Sequence, residues 1–249
     1  MCYYNRLIVP VHQAFSIGEF PVEWPDELIT SRPVQSGFEF GDWPIIIWSE
    51  EKQSPEMVKG HWEFMAPWTK SLKAAETSRQ QYTTLNAVGE KLFESRLYKE
   101  AAQKRRCLVL SSGFYEWRHW KPTGAKKDLA IPYLVYLPGQ PVFFMAGVWQ
   151  PWTDQDTGEH LNSFAIVTTA SNSLMAQVHN TKKRMPLILT DELAWKWIDP
   201  YLPKKEIGEI AAYKYDTKKM AAYTIVKDFR TAPDPSEPME YEGLPEITN

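Results

Sequence analysis

The chain has 249 residues, 43% of them hydrophobic and 24% charged, an ordinary composition for a soluble globular protein. A formal net charge of −3 argues against binding nucleic acid through overall charge, so any basic surface has to be local. Two cysteines, Cys2 and Cys107, are too few for a disulfide framework, and nothing has C-x2-C zinc spacing, so neither metal nor cofactor is expected.

From the start of the chain, Met1-Cys2-Tyr3-Tyr4-Asn5-Arg6 lacks the apolar core of a signal peptide. No later run approaches the ~20 apolar residues of a membrane span. The expectation is a cytoplasmic monomer with no membrane partner. Short apolar runs at 7–11, 44–48, 107–110, 131–137, 142–148, 164–169, 186–189 and 223–226 are rich in Val, Ile, Tyr and Phe. Gly, Pro, Asp or Ser flank most of them, which predicts strands. Cys107 lies inside one run and reads as a core residue.

The polar stretch 69–81 reads as a loop or exposed turn. Apolar residues at helical spacing predict a helix over 90–103. Further helices are predicted over 171–178, over 190–197 behind a Thr190 cap, and over 203–213 opened by Pro203. The pattern is α+β: a β-rich curved sheet or barrel-like core with flanking helices. One domain over residues 2–230 is expected. Residues 231–249 hold four prolines and several acids, and a disordered tail is expected there.

Cys2 carries chemistry that an internal cysteine lacks. Methionine is normally removed before a small residue, and cysteine qualifies. The mature chain would then start with an amine and a thiol on one residue. The α-amine has a pKa of about 8, far below that of a lysine. It can condense with an aldehyde, and the thiol can then close a five-membered thiazolidine ring intramolecularly.

Leu85-Asn86-Ala87, Ser112-Gly113-Phe114-Tyr115-Glu116-Trp117, Val178-His179 and Arg184-Met185-Pro186-Leu187-Ile188-Leu189 follow Cys2 in that order. With 62–68 and Gly147-Val148-Trp149, these blocks resemble the SRAP family, the SOS-response-associated peptidase domains that crosslink to abasic DNA. The resemblance implies an SRAP-like fold and a catalytic set of Cys2, Asn86, Glu116 and His179. It implies a covalent adduct with an abasic site in single-stranded DNA, with autopeptidase and lyase-like activities attached to the family. When bound to DNA the protein would sit on the nucleoid.

Asn86 would orient the amine or the released sugar hydroxyl. Glu116, set among aromatics, would have a raised pKa if buried and would shuttle protons. His179 would protonate the sugar ring oxygen as it opens. Lys182, Lys183 and Arg184 form a compact basic cluster for phosphates, to which Arg105 and Arg106 would add. Trp62, Phe64, Trp68 and Phe114 are candidates for stacking on bases. The other histidines, 12, 61, 119 and 160, read as structural or exposed. Tyr3 and Tyr4 stand where many relatives have Gly-Arg, and Val88 where many have Arg, which alters the expected DNA path. The alternatives are an N-terminal-nucleophile amidohydrolase and a non-catalytic module that binds single strands.

Overall fold

β-Branched and aromatic side chains pack well on a pleated surface, and the apolar runs become strands for that reason. The computed structural model describes residues 2–9 and 15–248. His12 and the end of the run at 7–11 lie outside them. The first strands are β1 (Tyr4–Leu7), β2 (Phe15–Ile17), β3 (Phe20–Val22), β4 (Arg32–Ser36), β5 (Asp42–Ser49), β6 (Ser54–Trp62) and β7 (Asn86–Val88). The rest are β8 (Arg106–Ser111), β9 (Gly113–Trp120), β10 (Leu129–Tyr136), β11 (Phe143–Thr153), β12 (His160–Ala170), β13 (Arg184–Pro186), β14 (Ile188–Leu189) and β15 (Ala221–Thr224). The helices are α1 (Leu72–Arg79), α2 (Lys99–Lys104), α3 (Ser173–Val178), α4 (Asp191–Ile198) and α5 (Lys204–Ala211).

β12, β6, β5, β8 and β11 pair in turn, and β11 pairs back to β12, so the ring closes. Closure removes the unpaired edges that an open sheet presents. A second sheet runs in the order β15-β10-β9-β1-β4. The two sheets are stapled where β8 passes into β9. Asn5 on β1 donates to the Leu110 carbonyl at 3.3 Å and accepts from the Ser111 hydroxyl at 2.7 Å. The barrel core is aromatic. Trp43, Trp62 and Trp197 are fully buried, and each indole N–H donates to a main-chain carbonyl: Leu110, Leu85, and Cys107 with Gly147. Packing is close enough that a Cβ on Gly147 would lie 2.6 Å from the Cys107 sulfur.

Three expectations need correction. The stretch 69–81 is not all loop: the Ser71 hydroxyl accepts from Ala74 N–H and Asp154 accepts from Leu72 N–H, which together start α1. The helix expected over 90–103 is broken. Only Lys99–Lys104 is α-helical, because the Ser95 hydroxyl accepts from the N–H groups of Leu97 and Tyr98 and restarts the chain there. The tail is ordered over 231–248. Met239 N–H donates to the Thr224 carbonyl and the Tyr241 hydroxyl to the Ile225 carbonyl. Arg118 donates to the Pro245 carbonyl, and Leu244 and Ile247 pack on the core. Prolines suit such a segment of turns and irregular backbone, which needs few main-chain donors.

Candidate active site

β1 is a central strand, so the residues after Cys2 are held on both sides. Tyr4 lies opposite Ser36 on β4 and Tyr115 on β9, and the Tyr3 carbonyl accepts from Gly37 N–H at 2.8 Å. One register step from Tyr4–Tyr115 sets Tyr3 across from Glu116. Cys2 is fully buried, with its sulfur 4.0 Å from the Tyr4 carbonyl. Burial pushes its thiol well above the ordinary range, and the neighbouring Glu116 carboxylate adds to the push.

Glu116 is 4% exposed on β9. Loss of hydration on burial drives its carboxyl up to about 7. His179 is 7% exposed and follows the last residue of α3, its main-chain N–H bonded to Met175. Its Nδ1–H donates to the Arg184 carbonyl at 2.8 Å. A carbonyl only accepts, so Nδ1 carries the proton and Nε2 is the basic nitrogen of the neutral ring. Burial holds this imidazole below its ordinary value, and Lys182 and His119 lower it further.

Glu116 and His179 line one cavity of about 360 Å³ together with Tyr3, Trp117, His119 and Lys182. His119, read from sequence as structural or exposed, therefore belongs to the wall. Asn86 lines a different cavity, of about 460 Å³, with Tyr82, Thr84, Lys91 and Tyr98. Both polar atoms of its side chain are buried without a hydrogen-bond partner among the described residues. Such atoms are rare in folded proteins and cost free energy unless something else satisfies them.

The basic cluster divides. Lys182 reaches the Glu116–His179 cavity, whereas Lys183 is exposed in a left-handed turn at φ 50°. Arg184 is engaged: both terminal nitrogens lie 2.8 Å from the Glu90 carboxylate, and one also donates to the Thr168 carbonyl. Arg105 is paired with Glu100. Arg106 is buried against the carbonyls of Ala102, Gln103, Trp197 and Asp199, and so cannot join a DNA-facing cluster. Trp62 and Phe114 are fully buried and offer no face to a base. Trp62 instead stacks on Phe164 at 6.2 Å. Trp68 is 52% exposed, with the Arg96 guanidinium 5.2 Å from its ring centroid. Arg96 lies between Ser95 and Leu97, which line the Asn86 cavity, and it was missed from sequence because it sits in an apparently helical run. Among the described residues no group of His, Cys, Asp or Glu is arranged to hold a metal, and no helix is long and apolar enough to cross a membrane.

The family model described as SOS response associated peptidase (SRAP) matches residues 30–231. The chain belongs to the SRAP family. Among SRAP relatives, the abasic site processing protein YoqW of Bacillus subtilis is 30% identical over 167 residues, 67% of this chain and 68% of that protein. The abasic site processing protein HMCES of Xenopus tropicalis is 32% identical over 157 residues, 55% of this chain and 43% of that one. A crystal structure of a Bacteroides thetaiotaomicron protein is 39% identical, with a TM-score of 0.70 and 82% of each chain covered. These matches place the β-rich architecture described above among known SRAP folds.

Proposed function

We propose that this SRAP chain processes abasic sites in single-stranded DNA by covalent capture at Cys2, once Met1 has been removed. One observation carries the reading: Glu116, with its pKa raised to about 7, and an Nδ1-anchored His179 share a cavity walled by Tyr3, the residue after the buried Cys2. Names such as "abasic site processing protein" among the relatives support it.

The steps balance. His179, neutral at pH 7, accepts the proton of the anomeric hydroxyl through Nε2. Glu116, still partly protonated, delivers one to the ring oxygen as the bond from that oxygen to the anomeric carbon breaks. This reverses the role expected for His179 from sequence, because its lowered pKa suits a base. The Cys2 amine then adds to the aldehyde, and one water leaves to give the imine. The thiol adds across the C=N bond, its sulfur going to carbon and its proton to nitrogen, and the thiazolidine forms. A buried, protonated thiol fits this order, with the amine first. It is the wrong state for the thiolate attack that opens cysteine amidohydrolysis.

Lys182 would meet a phosphate beside the lesion. Trp68 with Arg96, next to the Asn86 cavity, supplies an exposed aromatic platform with a cation on it, the pairing that grips single strands. The test mixes protein of confirmed intact mass, lacking Met1, with an abasic oligonucleotide. A heat-stable shifted band on a denaturing gel is the expected result. Cys2→Ala abolishes it and Cys2→Ser leaves at most a labile adduct. A stable band from Cys2→Ala overturns the reading.

A further inference from the structure

The main chain of His119 is held by a side chain where a strand would otherwise lie. β1 pairs with β9 only as far back as Tyr4, opposite Tyr115, while β10 covers the other side of β9 up to Trp120. At His119 the carboxamide of Asn180 takes over. Its Oδ1 accepts from the His119 N–H at 2.9 Å, and its Nδ2 donates to the His119 carbonyl at 2.7 Å. A carboxamide carries a donor and an acceptor together, as a peptide unit does, so it can stand in for one residue of a neighbouring strand.

Asn180 directly follows His179. The imidazole is therefore gripped from three directions: by α3 through its main-chain bond to Met175, by its own loop through Arg184, and by β9 through Asn180. β9 is the strand that carries Glu116. Stepping back in register from Tyr4–Tyr115, Cys2 falls across from Trp117, two residues short of His119. The Asn180 clamp thus closes the far end of the stretch of β9 beside which the terminal residue lies.

We propose that Asn180 is a positioning residue, whose two bonds to His119 dock the His179 loop on β9 so that the imidazole and the Glu116 carboxyl face one cavity. The geometry stands by itself; its catalytic consequence rests on the abasic-site reading.

The experiment compares the full chain with Asn180→Ala by two readouts. The first is the NMR titration of the His179 ring, which needs no DNA. In the parent chain burial holds it below the ordinary imidazole value, with the N-terminal amine, Lys182, His119 and Glu116 as the titratable groups around it. In Asn180→Ala it is expected to move up towards the ordinary value as the loop lifts and water enters. The second is adduct formation with an abasic oligonucleotide, expected to slow by roughly ten- to a hundred-fold, the scale of misplacing a reacting group by about an ångström. An unchanged titration together with an unchanged rate overturns the proposal. A shifted titration in a protein whose parent forms no adduct upholds the clamp and sinks the abasic-site reading alone. Should Asn180→Ala fail to fold, Asn180→Asp, which keeps only the acceptor to His119 N–H, is read by exchange of that amide. Protection equal to the parent upholds that half of the clamp, and its loss overturns it.

Discussion

The Nδ1 of His179 and the main-chain carbonyl of Arg184 lie 2.8 Å apart, and this single bond settles which ring nitrogen is basic. It also ties the end of α3 to the start of β13, so the ring is aimed by the fold. With Glu116 driven up to about 7 by burial and His179 held below its ordinary value, the usual order of the two proton affinities is reversed.

The rate of sugar-ring opening should therefore be bell-shaped in pH. It falls on the acid side as His179 becomes protonated, below the ordinary imidazole value. It falls on the alkaline side above about pH 7 as Glu116 ionises. Glu116→Gln removes the alkaline limb and lowers the plateau by roughly 100-fold or more, the usual scale for losing a positioned acid. A pH series of single-turnover rates checks both statements. An alkaline limb that survives in Glu116→Gln would assign it to another group.

Glu116 also makes stability depend on pH. An unfolded glutamate titrates at about 4.3, and the folded one at about 7. Between those values the native state holds the proton and the unfolded state does not, so stability falls as pH rises across the window. The full loss is on the order of 4 kcal/mol well above pH 7. Glu116→Gln cannot ionise and should be more stable than the parent at pH 8 but not at pH 4. Urea unfolding at the two pH values measures the difference.

Two tryptophans a few residues apart should behave as opposites. Trp62 is fully buried, stacked on Phe164, with its N–H bonded to the Leu85 carbonyl. Trp62→Ala should cost about 3–5 kcal/mol, as cavity-forming changes of large aromatics do. Trp68 is half exposed under Arg96. Trp68→Ala should leave stability within about 0.5 kcal/mol and weaken single-strand binding by about 1–3 kcal/mol, the worth of one stacked base. Denaturant melts and fluorescence anisotropy with an intact oligonucleotide separate the two.

The contrast shows what the sequence could and could not carry. The strands were legible because runs such as Ile45-Ile46-Ile47 and Cys107-Leu108-Val109-Leu110 have one stable fate, inside a sheet. Which aromatics face outwards was not legible, since Trp62 and Trp68 differ only in what packs on them. The break at Ser95 depends on one hydroxyl capping two N–H groups, against an apolar spacing that argued for continuity. The ordered tail depends on partners in other elements, from β15 nearby to Arg118, which is 127 residues from Pro245. Motif resemblance picked out Glu116 and His179, which the fold brings to one cavity. It passed over Asn180 and His119, whose contribution is a side chain bonded to main chain.

Asn86 gives the sharpest separation of function from stability. Its oxygen and amide nitrogen are both buried with no hydrogen-bond partner among the described residues, in the wall of the cavity of about 460 Å³. Nor does the side chain start the turn that follows: that turn has Val88 at its N-cap, with no side-chain hydrogen bond. In the free protein the amide therefore contributes a desolvation cost with little return, and replacing it with leucine, similar in size and apolar, should be neutral or stabilising by about 1 kcal/mol. If the amide is held for a sugar or phosphate of the DNA, Asn86→Leu should at the same time lose adduct formation by roughly 10- to 100-fold, since a bound polar group would then face an apolar wall. A melt and a crosslinking time course on the same preparation test the pair of effects. Unaltered crosslinking in a folded Asn86→Leu protein would remove Asn86 from the site, and a large drop in stability would show that the amide is bonded in the free protein after all.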